Sequence, residues 1–301
     1  METDFVVEPT KARLEASTAC QLRCPACPTT RGDVGRNLGT GLLKPDDFAE
    51  FLRLNPGLQA VELSNYGEVF LNPDLVELLR LAYEREVRVT LSNGVNMNRV
   101  PAEALEALVR YQVHHITCSI DGATQETYAQ YRVGGDLNSV LANLDQLVEI
   151  KRRNKSDKPY LTWQFVIFEH NRHELEEARK LALAFDMKFI TKNDWRAPRA
   201  ESNHTFTFHS PCLQLWESPQ LNWDGRLLGC CVNCWQDFGG NAFESSLSEL
   251  VNQEPVKYAR KMLVGEAEAR PEIPCTRCGR YKKMVENGDY LRLPEGPGPG
   301  G

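Results

Sequence analysis

The sequence predicts an α/β fold: a partial (β/α)6 barrel of TIM-like form followed by a small C-terminal cysteine-rich unit. Two observations predict it. Between residues 10 and 195 short β-rich runs alternate with helical patterns, and such an order implies a parallel sheet, because each parallel step needs a crossover. After Thr191 the alternation stops, and the cysteines of Cys212–Cys278 fall in a stretch with too little periodic apolar content to suggest a large core.

The strand candidates are Arg13–Ser17, Ala60–Ser64, Val87–Ser92, His115–Ile120, Leu161–Phe168 and Lys188–Thr191. Helical patterns at Asp46–Leu54, Pro73–Arg85, Pro101–Tyr111, Leu137–Arg153 and Arg172–Phe185 separate them. Active residues of such a barrel belong where strands end and loops begin. The expected division is a barrel over 10–195, a cysteine-rich unit over 205–285 that metal ligation helps to fold, and a tail over 286–301. The end of that tail, LPEGPGPGG, is expected to be disordered.

A length of 301 residues suits one large domain and one smaller one. With 42% hydrophobic and 25% charged residues, and no apolar run near the roughly 18 residues of a membrane span, no membrane partner is expected. The start METDFVVEPTKARLEAS lacks a basic segment followed by an apolar one, so the expected location is cytoplasmic. Ten cysteines in a reducing compartment, grouped closely, read as metal ligands rather than disulfides. The net charge of −6 argues against a nucleic-acid partner, which usually needs a basic face.

Cys20, Cys24 and Cys27 form a C-x3-C-x2-C loop just past the first strand. Three thiolates this close can cap three irons of a cubane and leave the fourth open, whereas a closed zinc site would want a fourth local ligand. The alternative is a zinc knuckle that borrows a distant ligand. CQLRCPACP after the first strand of a β/α sheet resembles the signature loop of the radical S-adenosylmethionine (SAM) superfamily, over about residues 10–285. One departure is Ala26, where many members carry an aromatic residue or Met against the adenine.

The resemblance implies that SAM chelates the open iron through its amino and carboxylate groups and is cleaved to a 5′-deoxyadenosyl radical. It also implies roles at the ends of the next strands. Tyr66-Gly67-Glu68 resembles the turn in which Gly67 and Glu68 receive the SAM amino group. Ser92-Asn93-Gly94 resembles a segment near SAM, and Ser119-Ile120-Asp121-Gly122 one whose Ser119 lies near the ribose. Arg132, in YRVGG, resembles the arginine that pairs with the SAM carboxylate, a task suited to a guanidinium fork. Cys118, inside an apolar strand, is expected to be a core thiol.

In the second group Cys212-x12-Gly225-x4-Cys230 places a cysteine on each side of a hairpin expected to turn at Asp224-Gly225, and Cys275-Thr276-Arg277-Cys278 adds a C-x2-C pair after a helix. A four-cysteine zinc ribbon would have similar spacing. The pattern resembles the SPASM and twitch auxiliary domains of radical SAM enzymes. The longer array of a two-cluster SPASM domain is absent, which implies one auxiliary 4Fe–4S cluster on Cys212, Cys230, Cys275 and Cys278, with Cys231 and Cys234 unassigned. The ligand order is similar to that of deoxy-scyllo-inosamine dehydrogenases.

That likeness implies a radical SAM oxidoreductase in which a secondary alcohol of a sugar-like substrate becomes a ketone, the auxiliary cluster accepts an electron, and a flavodoxin- or ferredoxin-type reductant serves the first cluster. A base must take the hydroxyl proton, and Arg196, His204, His209 and Glu217 between the two units are the candidates. Trp195, Trp216, Trp223 and Trp235 either stack on a sugar or pack the second unit, and packing is the expectation. Modification of a ribosomal peptide or protein is the competing reading, and the short stretch before Cys20 leaves no room for the leader-binding domain that many peptide maturases carry. A non-catalytic iron–sulfur or zinc protein is a third.

Overall fold

The computed structural model describes residues 5–194 and 211–292. Strands β1 (Lys11–Leu14), β2 (Ala60–Glu62), β3 (Arg88–Val95), β4 (His115–Ser119), β5 (Tyr160–Ile167) and β6 (Lys188–Asn193) each pair in parallel with the next. All of the sequence-predicted strands are present, with ends displaced by a few residues. The helices between them are α1 (Asp33–Leu38), α2 (Pro45–Leu54), α3 (Leu75–Glu84), α4 (Ala102–Arg110), α5 (Gln125–Tyr131), α6 (Leu137–Arg153) and α7 (Leu175–Ala184). The short helices α1 and α5 lie in loops where the sequence suggests no periodic face.

Alternation along these strands separates two chemistries. Leu14, Val61, Leu91, Ile116 and Trp163 are fully buried in the hydrophobic core. The other face is polar and hydrogen-bonded across strands. Thr90 Oγ1 donates to Glu62 Oε2 (2.7 Å), Ser92 Oγ meets His115 Nδ1 (3.0 Å), and His115 Nε2 meets Thr162 Oγ1 (2.8 Å). A core-facing side and a side shaped for polar ligands follow from the period of two.

The second unit is not separate from this sheet. After α8 (Gln214–Glu217), β7 (Gln220–Leu221) pairs in parallel with β1, and β8 (Leu227–Gly229) runs antiparallel to β7, so the sheet has the order β6-β5-β4-β3-β2-β1-β7-β8. The hairpin turns where expected: Gly225 N donates to Asn222 O (3.0 Å), and Gly225 takes φ +85°, where an added Cβ would stand 2.1 Å from Asn241 Oδ1. Helices α9 (Leu247–Val251), α10 (Glu254–Val264) and α11 (Gly279–Asn287) complete the unit. Leu215, Leu227, Leu250 and Met262 belong to the same hydrophobic cluster as Leu14 and Val61, so the expectation of a meagre local core is corrected by one core shared with the barrel.

Fully buried Arg260 ties the N-terminal segment to this unit, donating to Leu215 O through Nε (3.0 Å) and to Phe5 O through Nη1 (2.9 Å). Helix α11 ends at Asn287 and Leu291 N donates to Leu263 O (2.9 Å), so ordered packing continues past residue 286, where the tail was expected to begin. LPEGPGPGG lies outside the described residues.

Candidate active site at the carboxyl ends of the strands

The cysteine loop leaves β1 and is pinned by a buried carboxylate. Glu15 accepts from Tyr66 N (2.8 Å) and Gly67 N (3.2 Å), while Glu68 N donates to Ala19 O (2.7 Å). This draws the turn after β2 against the loop so closely that a Cβ on Gly67 would stand 2.0 Å from Ser17 O. Burial pushes the Glu15 and Glu68 carboxyls up to about 7. Glu68 accepts from Asn96 N (2.7 Å), which ties the turn to the end of β3. Each carboxylate oxygen has a second lone pair, so Glu68 keeps capacity for another donor.

Two sulfurs of the cysteine loop face N–H donors. Asn96 Nδ2 lies 3.7 Å from Cys20 Sγ and Arg132 Nη1 lies 3.9 Å from Cys24 Sγ. Burial pushes the Cys20 thiol up to about 11 and raises that of Cys24, on which the Arg132 charge acts in the opposite sense. Buried thiols with donors aimed at their sulfurs suit an iron–sulfur cluster, in which metal replaces the protons and outer hydrogen bonds tune the sulfurs.

Ser92-Asn93-Gly94 forms a bulge: Leu91 pairs with Ile116 but Val95 pairs with Cys118, so three residues of β3 stand opposite one of β4. Gly94 has φ +114°, and a Cβ there would sit 2.3 Å from Ser119 Oγ. The bulge carries β3 on to Asn96, which sequence reasoning missed because a lone Asn beyond a turn has no local signal. Ser119 is buried and accepts from Gln164 Nε2 (3.3 Å). Ser92 turns toward His115 on the polar inner face, whereas Asn93 is exposed and donates to Asn65 Oδ1 (2.7 Å). Cys118 is fully buried among core side chains, as expected.

The second cysteine group sits beside the first. Asn222 Nδ2 in the hairpin turn donates to Leu38 O at the end of α1 (3.1 Å), Asn37 Nδ2 to Cys234 O (3.0 Å), and Asn65 Nδ2 to Cys231 O (3.4 Å). Cys212, Cys230, Cys275 and Cys278 line one cavity with Leu228, Trp235 and Tyr281. Burial pushes the Cys230 thiol up to about 12 and that of Cys275 well above the ordinary range. Four thiols around an apolar cavity form a donor set that becomes anionic only when metal takes the protons.

Among the described residues no three His, Cys, Asp or Glu stand closely enough to hold one metal ion. Zinc would need sulfurs about 3.8 Å apart from its Zn–S distance. A four-iron cluster, with one thiolate per iron, takes sulfurs more widely spaced than a single zinc ion does. Cys231 and Cys234 do not line the cavity. Cys231 Sγ accepts from Gln214 Nε2 (3.5 Å), and Cys234 packs with Val34, Leu38, Tyr66 and Leu228. Among the described residues the buried Tyr66 hydroxyl has no partner, and it lies in the field of Cys234, Cys230 and Cys231.

Arg196, His204, His209 and Trp195 lie outside the described residues. Glu217 is exposed just before β7, at the amino-terminal end of a strand parallel to β1, whereas the cysteine loop leaves the carboxyl end of β1. Sequence reasoning missed Lys192 at the end of β6. It lies in the fields of Cys231 and Asp121, and burial lowers its pKa. Trp216 stacks on Arg260 (5.8 Å), Trp235 Nε1 donates to Pro274 O (2.9 Å), and the Trp223 ring lies 2.5 Å from where a Cβ on Gly41 would be, all of which fits packing.

A family model described as the Radical SAM superfamily matches residues 14–182, and one for SPASM, an iron–sulfur cluster-binding domain, matches 212–279. The PqqA peptide cyclase of Ruegeria pomeroyi is 31% identical over 173 residues, 56% of this chain and 42% of that protein. The AdoMet-dependent heme synthase of Methanosarcina barkeri is 27% identical over 148 residues, 48% of this chain and 39% of that one. The chain thus spans less than half the length of these curated relatives. SuiB of Streptococcus suis, solved with S-adenosylmethionine, has a similar fold at TM-score 0.65 and 14% identity, covering 91% of this chain and 71% of that one.

Proposed function

The chain belongs to the radical SAM superfamily and carries an iron–sulfur SPASM domain, and on that premise we propose that it oxidises a carbon centre of a small polar, sugar-like substrate at the carboxyl ends of the barrel strands. In this reading Cys20, Cys24 and Cys27 hold the catalytic 4Fe–4S cluster, and Cys212, Cys230, Cys275 and Cys278 an auxiliary one. The observation that carries it is the gathering of four thiols around one cavity in a unit annealed to β1, the strand that feeds the first cysteine loop. An electron acceptor there would stand beside the radical site.

When bound, SAM and the two clusters supply a radical that removes a hydrogen atom from carbon and an acceptor for the electron that the substrate then sheds. The chain's own residues bind and orient. Gly67 and Glu68 offer backbone and carboxylate to an ammonium group, Ser119 a hydroxyl and Ser92 and Asn93 the strand end beside it. Arg132, paired with Asp121, directs a cation at the Cys24 sulfur. Lys192 takes the hydroxyl proton when alcohol becomes ketone, because burial makes its neutral amine more accessible.

A peptide substrate is the second reading, favoured by the 31% identity to a peptide cyclase. Product mass spectrometry with sugar-like and peptide substrates separates the two. The cluster assignment predicts about eight irons per chain after anaerobic reconstitution. Cys24→Ala should abolish 5′-deoxyadenosine release, and Cys275→Ala should keep release but lose substrate turnover. Zinc in place of iron, or full turnover in Cys275→Ala, would refute it.

A further inference from the structure

Along the polar inner face of β1, β2 and β3, from their amino ends up to Glu62 and Ser92, a cavity of about 310 Å³ is lined by Lys11, Arg13, Arg88 and His114, within the size range of small-molecule pockets. We propose that this cavity binds a small, multiply charged anion of the phosphate class.

The sheet register brings the cations together. Lys11 and Arg88 both pair with Ala60, one from each side. Their strands are therefore separated by a single strand, about 10 Å at the usual spacing. Ala60 between them has only a methyl group, so two long cationic side chains flank a shallow floor on which an anion can rest. A guanidinium fork and an ammonium are the groups that phosphate recognition uses.

Two buried polar atoms in the same wall lack partners. Arg13 donates through Nε to Gln220 Oε1 (3.1 Å), but among the described residues its Nη2 has no partner, nor has His114 Nδ1. A buried donor left unpaired is costly, and an anion in the cavity would satisfy it. Among the described residues no ion pair engages Lys11, Arg13 or Arg88. Among the described residues Glu62 is the one carboxylate lining the cavity, and its oxygens already accept from Thr90 Oγ1 (2.7 Å) and Ser92 N (2.9 and 2.8 Å). Burial lowers the His114 pKa, and the positive charges of Arg88 and Lys158 act in the same sense, opposed by Asp157. In a chain of net charge −6 such a concentration of cations is local and specific.

Calorimetric titration of the anaerobically reconstituted protein with inorganic phosphate, at fixed ionic strength, tests the site. Saturable binding is expected, weakened at least fivefold by Lys11→Ala and by Arg88→Ala, both of which alter exposed side chains. Lys180→Ala, which removes a charge paired with Glu177 on α7, should bind phosphate as the parent does. Absence of saturable binding, retention of full affinity in Arg88→Ala, or an equal loss in Lys180→Ala would each overturn the proposal.

Discussion

Arg132 places Nε and Nη2 each 2.7 Å from Asp121 Oδ2, and its Nη1 lies 3.9 Å from Cys24 Sγ. Asp121 is fully buried, so Arg132→Met would leave its charge uncompensated. A loss of about 3–5 kcal/mol in unfolding free energy is expected, read by chemical denaturation. Arg132→Lys should recover only part of it, because an ammonium cannot span the same two partners.

Gly67 is held against the carbonyls of Ser17 (2.0 Å) and Ala19 (2.7 Å) as seen by an added Cβ. Backbone cannot yield as a side chain can. Gly67→Ala should therefore push the turn off the cysteine loop, at about 3 kcal/mol or more, and lower the iron content after reconstitution. A variant with the parent's melting midpoint and iron content would contradict this packing.

Burial raises the Glu15 pKa from 4.5 to about 7. Between these values the folded chain keeps a proton that the unfolded chain has released. Stability should thus fall as pH rises through that window and level off above it, by up to about 3 kcal/mol. Glu15→Gln removes this contribution, so urea midpoints of parent and variant should diverge with a pH-dependent difference between about pH 5 and 7. A constant difference would show that Glu15 does not titrate there.

Lys192 sits at the end of β6 in the fields of Cys231 and Asp121, and burial lowers its pKa. If it accepts the substrate proton, turnover should rise with pH along a limb set below the ordinary lysine range. Lys192→Met should retain SAM cleavage and lose that limb together with most of the turnover. An unchanged pH profile would remove Lys192 from the reaction.

Helix α6 spans Leu137–Arg153, as its periodicity predicts, because Leu137, Val140, Leu144, Leu147 and Ile150 recur on one buried face. The six barrel strands were equally legible, since apolar residues at a period of two against a core leave a local signal. The candidate site residues that left no local signal, Asn96, Asp121 as the partner of Arg132 and Lys192, owe their positions to contacts between distant segments. The position of Glu217 was illegible for the same reason: proximity in sequence to Cys212 says nothing about which end of the strands it stands at.

The order and type of the barrel elements and the two groups of cysteines were written in local pattern, because periodicity and close spacing act within a few residues. The tertiary structure alone decided that the second hairpin would join β1 and that the β3 bulge would carry Asn96 to Cys20. It also decided that four cysteines would share one cavity while Cys231 and Cys234 turned away. Register between strands and the packing of a common core set those distances, and both arise from pairings across the chain that no local pattern specifies.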